Sequence, residues 1–249
     1  MRLRNDFKRQ PYACEIKSVE QAYNVGAAIG EELLSLGIDA NLAPVCDVNT
    51  NPDNPVIGFR AFGDDVQTVD ELAIAYMKGM HSVGVLACAK HFPGHGDTSV
   101  DSHKSLPVVT HDRSRLDSVE LAPFRKLISE GVDMVMMGHL SVPALDSTMV
   151  PSSVSRPIYD LLRKELGFKG VIVTDGLMMK GLLNMYGGDD VAASVAAYEA
   201  GADMLLGACC VRNIIDAITE KVETGVFSEH ELDQIVLRVL RLKKELFNI

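Results

Sequence analysis

Five imidazole or carboxylate side chains, His91, His95, Asp97, Asp101 and His103, fall within 13 residues of Lys90-His-Phe-Pro-Gly-His-Gly-Asp-Thr98 and its continuation Asp101-Ser-His103. Such groups exchange protons near neutral pH, attack electrophilic carbon, or ligate metals. Pro93, Gly94 and Gly96 break any regular period and let the backbone approach a ligand closely. A single histidine here would read as a surface-loop or helix-cap residue; five titratable groups together read as a site. All five are competent metal ligands. The run nevertheless lacks HExxH-type spacing, and an irregular glycine-rich loop places ligands poorly. Metal-dependent hydrolysis is therefore the lesser reading, one that chelator sensitivity would test, and no cofactor or metal is expected.

The elements that must position this run alternate between helix and strand. Ser18 and Gln21 have capping-box spacing, which predicts a helix from Ser18 to about Leu36, stopped by Gly37. Asn41–Val45 reads as a short strand, followed by a polar loop rich in Asn and Pro through Gly63. Further helices are predicted over 65–83, 113–130, 155–166, 188–200, 211–223 and 229–246. Strands are predicted over Val85–Lys90, Met134–Met137, Val171–Thr174 and Asp203–Leu206, with a long loop over 91–111. The strands are short, near-continuous apolar runs, which indicates burial on both faces and a parallel sheet of βαβ units. No linker interrupts the pattern, so residues 1–249 read as one domain.

About five βα units can be counted, where a closed (β/α)8 barrel has eight. Five strands also suit an open doubly wound sheet, although no glycine-rich phosphate fingerprint follows any of them. Polar residues gather just after the strands, at Asp47, His91, His139 and Asp175. Ligands are bound there in both architectures, so topology is left open by the pattern alone.

The run KHFPGHGDT followed by DSH resembles glycoside hydrolase family 3, in particular its NagZ-like β-N-acetylglucosaminidase branch. The resemblance extends over Asn41–Asn49 (NLAPVCDVN), Asn51–Gly63 (NPDNPVIGFRAFG), Gly138–Pro143 and Leu162–Met178 (LLRKELGFKGVIVTDGLM). It implies an α/β fold of the TIM (β/α)8-barrel type, with about five of the eight units present. It also implies a retaining exo-glycosidase that removes terminal β-linked N-acetylglucosamine from peptidoglycan fragments or related glycans. In that branch the carboxylate after the GVIVTD strand, here Asp175, is the nucleophile that forms a covalent glycosyl-enzyme. The general acid/base is a loop histidine, here His103, oriented by Asp101. Lys90, His91 and Arg60 match positions that hold sugar hydroxyls. Asp47 would support the site from behind, and His95 and Asp97 would hold the loop's shape; His139 has no assigned role. Many relatives carry a second acidic residue after the nucleophile, where this chain has Gly176.

The resemblance further implies about three upstream strands, the remainder of the eight, ending in an Asp-x-Glu-Gly-Gly segment whose Asp grips the sugar. Met1-Arg-Leu matches the position just past that segment. The chain is thus expected to lack the N-terminal strands of its barrel, to self-associate through open edges and to have low activity. An inactive fragment is the alternative from a different class. A phosphorylase on the same scaffold is another, because a histidine, unlike a carboxylate, does not repel an incoming phosphate.

Composition excludes other classes. With 47% apolar residues the chain buries a substantial core, and with a net charge of −10 and no basic stripe it is not expected to bind nucleic acid or an anionic membrane. No apolar stretch is long enough to cross a bilayer. Five cysteines without a CxxC pair argue against a disulfide framework. With a charged N-terminus unlike a signal peptide, they set a cytoplasmic location as the expectation.

Overall fold

A computed structural model describes residues 9–102 and 104–247 of the chain; His103, the expected acid/base, lies outside the described residues. The elements follow the apolar pattern closely. Helix α1 is Val19–Leu34, capped by Ser18, whose side chain accepts from the Gln21 N–H. Strand β1 is Ala40–Asn41 and helix α2 is Val66–Ser82, capped by the Asp65 side chain on Thr68 N–H. Strand β2 is Leu86–Phe92. Helix α3, Arg113–Arg115, runs through a π-helical turn at Leu116–Glu120 into α4, Ala122–Ser129. Strand β3 is Met134–Met137. Helix α5, Arg156–Asp160, widens into a second π turn at Leu161–Glu165 before strand β4, Val171–Thr174. Helices α6, Lys180–Leu183, α7, Asp190–Ala200, α8, Val211–Glu223, and α9, Glu229–Phe247, complete the fold.

Three expectations need adjusting. The strand expected over Val85–Lys90 runs on through Phe92, so His91, expected in the loop after it, lies within β2. The strand expected over Asn41–Val45 forms a ladder only at Ala40–Asn41, with a separate bridge from Val45 to Lys90. Between these points the Cys88 and Lys90 N–H groups still donate to Ala43 O and Pro44 O, but Pro44 has no N–H to return a bond, so the ladder is not continuous. The strand expected over Asp203–Leu206 is a single parallel bridge, Val173 to Met204. It is extended by backbone bonds from Asp203 and Met204 to Ile172 and from Thr174 to Met204.

The four strands are parallel and lie in the order β1-β2-β3-β4, with the 203–206 segment beside β4. Each new strand is added on the same side as the last. A doubly wound sheet reverses direction at a switch point; no reversal occurs among the described strands, so the order is that of a barrel wall. The wall is not closed among the described residues.

Both faces of the wall are buried, which explains the mainly apolar strands. Leu86, Cys88, Met134, Met136, Val171 and Val173 form one cluster on the inner face, joined by Leu42, Leu206 and two residues of α9, Val239 and Leu242. The alternate residues Ala87, Ala89, Val135, Met137 and Ile172 join the larger core under the helices. Helix α9 is bolted to the N-terminal end of the wall by Asp203. This carboxylate, its side chain fully buried, accepts from Arg163, from Arg238 Nε at 2.8 Å and from the Ile172 N–H at 2.7 Å. A cavity of about 490 Å3 opens at that end, and Arg163 and Arg238, two of its lining cations, are held by Asp203.

Candidate active site

At the other end of the wall, where β2 and β4 terminate, a cavity of about 260 Å3 is lined by Arg60, Lys90, His91, His95, Ser102 and Asp175 together with apolar neighbours. Its floor is Met136 and Leu206, continuous with the inner-face cluster. The site therefore begins where the barrel interior ends, at the C-terminal edge of the strands.

Asp175 follows β4 directly. Its N–H donates to Met137 O at 2.9 Å, and its Oδ1 accepts from the Gly176 N–H at 2.7 Å. Burial pushes this carboxyl up, but His91 and His139, the Gly176 N–H and Lys90 outweigh burial and hold it below the usual carboxylate range. The result is a half-buried, ionised carboxylate facing a cavity of donors. Lys90 is shifted the other way: burial and the Arg60 guanidinium lower it, opposed in part by Asp175 and Asp47.

His91 is the extra residue at a register shift in the β2–β3 ladder, between the pairs Lys90–Met136 and Phe92–Met137. The shift turns the buried His91 ring sideways between two partners. Nδ1 lies 2.7 Å from Asp47 Oδ2, and Nε2 lies 3.3 Å from Arg60 Nη2. A guanidinium only donates, so Nε2 presents its lone pair to Arg60 and the ring proton sits on Nδ1, toward Asp47. Asp47 therefore sets the orientation of His91, and through it the position of Arg60, which also donates to Val56 O at 3.2 Å.

Asp47 is wholly buried and also receives the backbone N–H groups of His91 and His95 at 3.1 and 2.7 Å. Burial raises its carboxyl, but His91 and His95 bring it below the usual range. One carboxylate thus fastens both ends of the tight turn His91-Phe-Pro-Gly-His95. It stands behind the cavity and is not among the residues lining it.

The rest of the loop is laced to the polar segment after β1. The Asn54 side chain donates to His95 O and Gly96 O at 2.8 and 3.0 Å, while its Oδ1 accepts from Val56 and Ile57 N–H. A Cβ on Gly96 would lie 1.8 Å from Val48 O, so only glycine permits this approach. His95 lies 2.6 Å from Thr98 Oγ1 through Nδ1 and 3.1 Å from Ser102 Oγ through Nε2. Asp101 stands on the same loop beside Ser102; it forms a 3.9 Å ion pair with Lys104 and is not among the residues lining the cavity.

Of the residues singled out in the sequence, the fold therefore brings Arg60, Lys90, His91 and Asp175 around one cavity, with Asp47 behind it and Asp101 on the loop at its rim. His139, without a role in the sequence, proves buried: Nδ1 lies 2.7 Å from Ser153 Oγ and Nε2 3.0 Å from Gly176 O. It holds the backbone immediately after Asp175, and its place at the end of an apolar strand was the only signal for that. Asn54 and Ser102 carry no sequence signal beyond lying in turn-rich loops. Gly176 is not imposed by packing: a Cβ there meets nothing closer than Met179 at 3.7 Å. Among the described residues no group of three His, Cys, Asp or Glu is arranged to hold a metal ion. Nor is any described helix long and apolar enough to cross a membrane.

Known proteins share this fold. A beta-hexosaminidase A of Pseudoalteromonas piscicida is 39% identical over 246 residues, which cover 90% of this chain and 41% of that protein. A glycoside hydrolase family 3 beta-N-acetylglucosaminidase from Paenibacillus sp. str. FPU-7 superposes with a TM-score of 0.87 at 45% identity, over 92% of this chain and 44% of that one. M tuberculosis LpqI superposes with a TM-score of 0.90 at 33% identity, over 97% of this chain and 73% of that one. The chain spans about half the length of the curated relatives it matches. Residues 10–242 match the Glycosyl hydrolase family 3 N terminal domain, a match that takes in the barrel-wall strands and every described residue of the cavity, so the chain belongs to glycosyl hydrolase family 3 and has its TIM-barrel-like α/β fold.

Proposed function

We propose that the protein is a retaining exo-β-N-acetylglucosaminidase acting on terminal β-linked N-acetylglucosamine of peptidoglycan fragments or related glycans. The observation that carries this reading is the ionised Asp175 carboxylate at the end of β4, facing a cavity it shares with Arg60, Lys90 and His91. In the first step an Asp175 oxygen attacks the anomeric carbon and the bond to the leaving oxygen breaks. That oxygen takes its proton from His103, whose ring Asp101 orients. In the second step His103 removes a proton from water, the water oxygen attacks the same carbon, and Asp175 is released with net retention. Arg60 and Lys90, with the His91 ring, hold hydroxyls of the sugar so that the anomeric carbon lies in line with Asp175.

Turnover of a chromogenic aryl N-acetyl-β-glucosaminide tests the reading, with Asp175→Ala as control, the product anomer followed by NMR, and phosphate varied. Release of the β-anomer by the parent chain and its loss in Asp175→Ala are expected. An α-anomer, or an Asp175→Ala variant that retains activity, would refute the assignment of Asp175. Acceleration by phosphate with a glycosyl phosphate as product would replace hydrolysis by phosphorolysis on the same scaffold.

A further inference from the structure

The loop carrying Asp101 and Ser102 is closed at its neck by a contact that the cavity itself does not contain. The Asp97 carboxylate accepts from Thr50 Oγ1 at 2.8 Å and meets His111 Nε2 at 2.5 Å. Both partners stand on framework. Thr50 follows the segment that Cys46 N–H fixes to Lys90 O and Asn49 N–H fixes to Gly63 O. His111 precedes α3, just after a stretch pinned to the post-β3 segment by Val109 N–H on Ser141 O and Ser141 N–H on Pro107 O. Asp97 and His111 are 14 residues apart, and the span between them includes both Asp101 and Ser102. At its far side the span docks on α6: Gly181 N–H donates to Ser102 O at 3.1 Å, and a Cβ on Gly181 would lie 2.6 Å from that oxygen. Helix α6 begins five residues after Asp175, so this docking ties the Asp101 loop to the segment carrying the carboxylate.

We propose that His111 is a positioning residue: through Asp97 it closes the neck of the loop and so sets where the proton-transferring side of the site stands relative to Asp175. The proposal rests on the glycosidase reading above. Tethering a chain segment at both ends removes most of the conformations it would otherwise sample. Proton transfer demands placement to a fraction of an ångström, so freeing the neck degrades catalysis more than it degrades the fold. The Asp97 and His111 side chains are each 29% exposed, and a part-exposed polar contact of this kind contributes little to global stability.

The test compares His111→Ala and His111→Gln with the parent chain on two aryl N-acetyl-β-glucosaminides. One has a leaving group acidic enough to depart without a proton; the other has a leaving group that needs one. For His111→Ala, kcat/KM is expected to fall by about 10- to 100-fold on the second substrate and by less than about 3-fold on the first. His111→Gln retains an N–H donor for Asp97 and is expected to recover most of the loss. A purely structural role would lower both substrates equally, and that result would overturn the proposal. Amide exchange at Gly181 gives a readout that does not depend on activity: a loss of protection of about tenfold in His111→Ala, with an unchanged global melt, is expected. Unchanged Gly181 protection would overturn the proposal even if the parent chain had no glycosidase activity, whereas inactivity with the expected exchange result would count only against the functional reading.

Discussion

Replacing Asp47 by Asn tests how the site is wired while changing its shape very little. In the native state Oδ1 accepts the backbone N–H groups of His91 and His95 at 3.1 and 2.7 Å, and Oδ2 faces His91 Nδ1 at 2.7 Å. The Asn carbonyl can keep the two backbone bonds, but its NH2 then points at Nδ1. His91 must move its proton to Nε2, where it meets the Arg60 guanidinium at 3.3 Å, donor against donor. A hydrogen bond to a charged group is worth about 1.5–3 kcal/mol, and a chain of this size loses about 2–4 °C of Tm per kcal/mol, so Tm should fall by roughly 3–12 °C. Asp47→Ala strands all three donors in a fully buried place and should fall further. The assay is a thermal melt by circular dichroism, paired with nitrogen NMR of the His91 ring to report its tautomer. An Asp47→Asn chain that melts with the parent and keeps its proton on Nδ1 would refute the orienting role of Asp47.

Two further outcomes follow from the same contacts. Asp47, Asp146 and Asp175 are held below the usual carboxylate value of 3.8: burial raises each, and neighbouring histidines, hydroxyls or N–H groups outweigh it. His95 is lowered from 6.5 by burial and by His91. All four bind protons more readily when unfolded, so their contribution is complete above the unfolded values and is lost as pH falls through the folded ones. Tm should decline gently below about pH 6.5 and steeply below about pH 4; a melting point that holds or rises down to about pH 3.5 would contradict this. Gly96→Ala forces a Cβ onto Val48 O and should destabilise by about 1–3 kcal/mol in a denaturant titration, whereas Gly176→Ala, whose Cβ would make only ordinary contact with Met179, should leave the midpoint unchanged. Equal midpoints for the two variants would show that Gly96 is not held by this close approach.

The amino-acid sequence by itself determined what depends on neighbours along the chain. Helix starts were legible because their caps are local: Ser18 on Gln21 N–H, Asp65 on Thr68 N–H and Ser155 on Ile158 N–H each join residues three apart. Strands β2, β3 and β4 were legible as short, mainly apolar runs, because a wall buried on both faces leaves little room for polar residues before its C-terminal edge, where Lys90, His91 and Thr174 stand. The two π turns at Leu116–Glu120 and Leu161–Glu165 were not, since a helix that widens for one turn keeps the same apolar repeat. The density of titratable groups after β2 marked the site, and the resemblance supplied the place of Asp175.

Only the tertiary structure decided how those groups are wired. Asp47 reaches His91 across 44 residues, Arg60 reaches His91 across 31 and His139 reaches Gly176 across 37. No repeat or cap relates such distant positions. Whether two polar groups meet depends on strand order and on the register shift that turns His91 between β2 and β3. The sequential order of the strands, which separates a barrel wall from a doubly wound sheet, is likewise a property of pairing between strands. Each strand carries the same apolar run in either arrangement, so the choice is made by the backbone bonds between them.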